Sequence, residues 1–151
     1  MVGAVIVTHS RIGERLIETA EFMVGRMDGI IAVSVDLETN VFEARRRIAE
    51  AVKQVDRRDG VLILTDLFGG SPSNIALSFL NPEGIDVITG VNLPMIITFR
   101  NKREGRSLLE LAKSIQLSGV RSIAQARGLM ETKGAFEREG RQVVHRQRQR
   151  S

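Results

Sequence analysis

The chain has 151 residues, of which 42% are hydrophobic and 26% charged, the balance of a folded protein that can bury one substantial core but not two. It has no cysteine, and its only histidines are His9 and His145, which excludes disulfides, thiolate nucleophiles and Cys-rich zinc sites and argues against a multi-histidine metal centre. Of the net charge of +4, the stretch from Phe136 to Ser151 supplies +3, five arginines against Glu137 and Glu139; a nearly neutral body with five of the six Phe and neither Tyr nor Trp offers no basic groove or stacking platform, so no nucleic-acid partner is expected.

Short β-branched runs alternate with longer amphipathic stretches, which predicts an α/β fold, a doubly wound open parallel sheet with helices on both faces. The first strand candidate is Val2 to Thr8. Ile12, Leu16, Ala20, Met23 and Val24 then recur at helical spacing and predict a crossover helix packed on the sheet. Ile30 to Val35 reads as the second strand, and Asn40 with Glu43 has the spacing of a capping box opening a helix whose apolar stripe is Phe42, Ile48, Val52 and Val55. Arg45, Arg46 and Arg47 within it read as a solvated face. Val61 to Thr65 is the third strand, and the loop after it leads to a helix with Ser71 at the N-cap and Pro72 at N1. Ile85 to Thr89 is the fourth strand, Asn92 a cap for the next helix, Leu108 to Leu117 a further helix and Arg121 to Ala126 a candidate fifth strand. From about Gly134 the chain mixes Arg, Gln and Glu with few apolar residues, the composition of a flexible basic tail that contains His145. No apolar run reaches the roughly 18 residues needed to span a bilayer, and no basic stretch opens a signal peptide, so a cytoplasmic protein without stable membrane insertion is expected.

In an open parallel sheet, ligands gather at the carboxyl ends of the strands near the point where strand order reverses. With strand order 2-1-3-4, His9 after the first strand and Asp66 after the third become neighbours there. A carboxylate that accepts from one ring nitrogen leaves the other with a free lone pair, so His9 is the candidate nucleophile and Asp66 the group that orients it. If Asp66 holds Nδ1, the nucleophile is Nε2. Gly69 and Gly70 permit close backbone approach, and with Ser71 at the following helix start they would make a phosphoryl-sized pocket beside the histidine. Apolar Leu67 and Phe68, with Asn92 and Met95 after the fourth strand, are candidate docking residues for a partner protein. An aspartate at a strand end also fits a receiver-like switch, but the acidic cluster that would hold Mg²⁺ is missing where His9 stands.

Val5-Ile6-Val7-Thr8-His9, then Thr65-Asp66-Leu67-Phe68-Gly69-Gly70-Ser71-Pro72 with Asn74, then Gly90-Val91-Asn92-Leu93-Pro94-Met95 together resemble the IIA component of the mannose-family phosphotransferase system, over about Met1 to Lys133. The resemblance implies a phosphotransferase system IIA domain over 1–133, with the basic tail at 134–151. It implies that His9 takes a phosphoryl group from the phosphohistidine of the small carrier HPr and gives it to a histidine of a IIB protein, with Asp66 paired to His9 and Ser71 at the phosphoryl site. It calls for no metal or other cofactor. It also implies a homodimer whose last strand adds antiparallel to the partner's sheet, the fifth, edge strand of the fold. Fused relatives carry IIB downstream; the residues after Lys133 are too few for such a domain, so IIB is expected on a separate chain. The alternative reading is a regulatory module of the same fold that binds partners according to its phosphorylation state.

Overall fold

The computed structural model describes residues 1–36, 38–132, 134 and 148–149. The chain falls into two units, Met1–Val120 and Arg121–Ser151. The first contains four strands, β1 (Gly3–His9), β2 (Ile30–Val35), β3 (Val61–Thr65) and β4 (Ile85–Thr89), all parallel and in the spatial order β2-β1-β3-β4. The crossovers are α1 (Ile12–Val24), α2 (Val41–Val55) and α3 (Ser71–Leu77), followed by α4 (Leu93–Lys102) and α5 (Leu108–Arg121).

The central strands are apolar almost throughout because both of their faces are covered. Ala4 and Ile6 of β1 and Leu62 and Leu64 of β3 turn to one face, where they meet Ala20 of α1, Met95, Ile96 and Phe99 of α4, and Leu111 and Ile115 of α5. Val5, Val7, Val61 and Ile63 turn to the other, onto Ala44, Ile48, Ala51 and Val55 of α2 and Ile75 and Ala76 of α3. Side chains that alternate across a strand thus feed two cores, and each fully buried large one contributes about 1.5–3 kcal/mol. Asn40 starts α2 as its spacing predicts, its side chain accepting from the Glu43 amide at 2.7 Å.

Several expectations need correction. On α1 the sheet-facing residues are Gly13, Leu16, Ile17 and Ala20, whereas Ile12 and Met23 are exposed; the stripe is rotated by about one residue from the one read in the sequence. Phe42 is not part of the α2 stripe: it is 87% exposed, since the buried face runs through Ala44, Ile48, Ala51 and Val55. The cap of α3 is Gly70, with Ser71 as its first helical residue. The sheet has four strands among the described residues, and the fifth antiparallel strand over Arg121 to Ala126 is not present. Instead α5 continues through Arg121, a turn follows, and residues 126–132 are helical. Ile123 is the one β-branched residue of that span, and Ala, Gln and Arg favour local helix over a strand that would need a non-local partner. Among the described residues the outer edge of β4 carries only an isolated bridge between Asn81 and Ile85. The basic tail, with His145, lies outside the described residues except for Gly134, Arg148 and Gln149.

Candidate functional site

Parallel pairing brings the carboxyl ends of β1 and β3 side by side, with Val7 opposite Thr65. The residues that follow at this edge are His9, the last of β1, and Asp66, the first after β3. One carboxylate oxygen of Asp66, Oδ2, lies 2.8 Å from His9 Nδ1 and accepts from the His9 backbone N–H at 2.9 Å. The other, Oδ1, accepts from the Leu67 amide at 3.0 Å. The Asp66 side chain is 9% exposed and that of His9 45%. Burial alone would raise the Asp66 pKa, but the hydrogen bonds and charge of His9 and the Leu67 amide outweigh it, so the carboxyl is held below its ordinary value. An ionised carboxylate only accepts, so Nδ1 must carry the ring proton, and the lone pair is left on Nε2.

Nε2 faces the loop before α3. A Cβ built on Gly70 would stand 2.7 Å from His9 Cε1 and 3.3 Å from Nε2, so only glycine leaves the ring its place. The preceding Gly69 takes φ +95, a conformation that side chains rarely adopt. Behind the loop, the fully buried Ser73 hydroxyl accepts from the Gly69 amide at 3.0 Å and donates to the Gly70 carbonyl at 2.9 Å. On the β1 side, Thr8 Oγ1 accepts from the Gly13 amide at 3.1 Å and ties the turn after His9 to α1.

The imidazole opens into a cleft of about 670 Å³. It is lined by His9, Ser10 and Ser71, by Asp36, Glu38 and Thr39 from the segment between β2 and α2, and by Val41 at the start of α2. The arrangement is a nucleophilic nitrogen, oriented from behind by an anion and open in front to hydroxyl groups, which suits transfer of a small anionic group to and from Nε2. Among the described residues no group of three or more His, Cys, Asp or Glu could hold a metal ion.

The profile of the EIIA-man family, the fructose IIA component of the phosphotransferase system (PTS), matches residues 3–116. The chain belongs to this family. It is 28% identical over 123 residues to the PTS system fructose-specific EIIA component of Bacillus subtilis, covering 81% of this chain and 84% of that protein. It is 29% identical over 127 residues to the PTS system mannose-specific EIIAB component of Escherichia coli K12, covering 81% of this chain but 39% of that longer protein. The PTS IIA protein associated with the fucose utilization operon of Streptococcus pneumoniae superposes with a TM-score of 0.76 at 28% identity, over 85% of this chain and 96% of that one. Phosphotransferase system component EIIA from Streptococcus agalactiae, at 21% identity and TM-score 0.75, over 83% of this chain and 97% of that one, shares the fold. A transferase role within the phosphotransferase system follows from family membership. No helix among the described residues is long and apolar enough to cross a membrane.

On this IIA scaffold the four candidate docking residues separate. Leu67 and Phe68 stand out beside the site, Phe68 74% exposed. Met95 is not a surface residue: it is 3% exposed and belongs to the core cluster of Ile96, Phe99 and Ile115, its side chain lying against Gly119 of α5, where a Cβ would stand 2.7 Å from it. Asn92 is occupied structurally. Its side-chain oxygen accepts from the Met95 amide at 3.2 Å and its amide nitrogen donates to the Gly119 carbonyl at 3.2 Å, so it caps α4 and ties it to α5. The sequence reading gave no role to Ser10, Ser73 or Val41. The cue for Ser10 was its place directly after His9; buried Ser73 and cleft-lining Val41 carried no cue beyond the helix starts they sit in.

Proposed function

We propose that the chain is a phosphoryl carrier that accepts a phosphoryl group on His9 Nε2 from phosphorylated HPr and passes it to a histidine of a IIB protein on another chain. The observation that carries the reading is the His9–Asp66 pair, with Nδ1 held 2.8 Å from a carboxylate kept ionised while the ring faces Gly70 and an open cleft. In the transfer the P–N bond to the donor ring breaks and its electron pair stays on that nitrogen, while the Nε2 lone pair forms the new P–N bond. The Nδ1 proton stays hydrogen-bonded to Asp66, whose negative charge offsets the positive charge that the His9 ring acquires. Gly69 and Gly70 let the phosphoryl group approach the loop, and Ser71 donates to its oxygens. Return of the group to a second imidazole is the same step reversed, which needs both rings in line and the donors fixed in advance. A shallow rim bearing exposed Leu67 and Phe68 fits brief docking of such partners. The chain acts as a homodimer, and the outer edge of β4, where no further strand pairs among the described residues, is where a second copy would add.

The test is intact mass after incubation with phosphoenolpyruvate, enzyme I and HPr. Wild type should gain one acid-labile phosphoryl group and His9→Ala none, with both proteins folded. An equally labelled His9→Ala would remove His9 from the chemistry, and a label sensitive to hydroxylamine would move it to a carboxylate.

A further inference from the structure

Among the described residues only two other than glycine have positive φ, Ser10 at 49 and Arg58 at 73. Arg58 has a local reason, since its amide donates to Asp56 Oδ1 at 2.9 Å in a tight turn. Ser10 has none: its hydroxyl makes no hydrogen bond with the described residues, it is exposed, and its left-handed backbone is one that glycine would adopt without penalty. It directly follows His9 and lines the same cleft as His9 and Ser71.

The charges around the cleft give this position a use. Among the described residues no lysine or arginine lines it, and its lining includes the carboxylates Asp36 and Glu38. A phosphoryl group on Nε2 would bring further negative charge into that setting, so neutral donors must meet its three oxygens. Thr39 Oγ1 accepts from the Asp36 amide at 3.1 Å in the turn after β2, whereas Ser10 directly follows His9 and Ser71 follows the Gly70 that the ring faces, and both line the cleft with His9.

Resting on the reading of His9 as the phosphoryl acceptor, we propose that Ser10 is a second phosphoryl-binding residue, whose hydroxyl donates, together with that of Ser71, to the oxygens of the group on His9. As the donor's P–N bond breaks and the bond to Nε2 forms, the Ser10 proton stays on its oxygen; the hydroxyl only stabilises charge. The strained backbone is then retained because glycine there would lack the donor.

The experiment measures phosphorylation rates of wild type, Ser10→Gly and Ser10→Ala with two donors, phospho-HPr and the small donor phosphoramidate, together with thermal midpoints. Ser10→Gly should be phosphorylated about tenfold more slowly by both donors, the loss of one hydrogen bond to a charged group, with a thermal midpoint equal to or above that of wild type. Ser10→Ala should show the same slowing while keeping the strain. Ser10→Gly labelled as fast as wild type by phosphoramidate would overturn the proposal, and so would slowing confined to phospho-HPr, which would make Ser10 a docking residue. Wild type left unlabelled by both donors would overturn the reading of His9 itself.

Discussion

Gly70→Ala isolates the placement of the imidazole from the stability of the fold. Gly70 has extended backbone, φ −88 and ψ 170, which alanine adopts freely, so the substitution introduces no backbone strain and should leave the thermal midpoint nearly unchanged. The added methyl would lie 2.7 Å from His9 Cε1, where ordinary contact begins at 3.4 Å. The ring must therefore withdraw by about 0.7 Å, a displacement comparable to the ~1 Å misplacement that costs about a hundredfold in rate. That corresponds to about 2.7 kcal/mol of transition-state stabilisation. Withdrawal also disturbs the 2.8 Å contact between Nδ1 and Asp66. Rapid quenching followed by intact mass gives the rate of phosphoryl uptake from phospho-HPr, and a thermal melt reports the fold. Uptake within twofold of wild type, at an unchanged midpoint, would refute the placement of Nε2 against this loop.

Asp66→Asn should slow uptake without abolishing it, because an amide NH₂ turned toward Nδ1 favours the tautomer that has its proton on Nε2; a rate equal to wild type would deny Asp66 its orienting role. The same variant should alter acid stability. The Asp66 pKa is depressed in the folded state, so its contribution is complete above the unfolded value near pH 4 and is lost as pH falls through the lower folded value. Urea titrations from about pH 5 downward should thus fall less steeply in Asp66→Asn than in wild type. Met95→Ala should cost about 2–5 kcal/mol of stability as a core cavity, while exposed Phe68→Ser should leave stability within about 0.5 kcal/mol and weaken transfer only from protein donors. Thr65 has a fully buried hydroxyl without a hydrogen-bond partner among the described residues. Thr65→Val should therefore stabilise by about 1 kcal/mol in urea denaturation, and a loss of stability would reveal a partner for that hydroxyl.

The strands, the helix caps at Asn40 and Asn92 and the juxtaposition of His9 with Asp66 were legible in the amino-acid sequence. Each depends on interactions that are local or that topology fixes: β-branched runs, an amide oxygen three residues from its donor, and parallel crossovers that deliver strand ends to one edge. What a side chain meets across the molecule was not. Met95 reads as a rim residue until α4 turns it into the core, and Phe42 reads as core until the face of α2 built on Ala44 and Ile48 leaves it in solvent. The stretch from Arg121 to Ala126 reads as a strand only if something pairs with it; within the single chain it is the turn between the end of α5 and the helical residues from 126. The left-handed turn at Ser10 and the close approach of Gly70 to His9 likewise exist only once β1, β3 and the loop before α3 are held together. Periodicity and capping act within a few residues of chain, whereas burial and close approach are set by which surfaces finally meet, so the pairing of His9 with Asp66 was readable while the packing around it was decided by the tertiary structure.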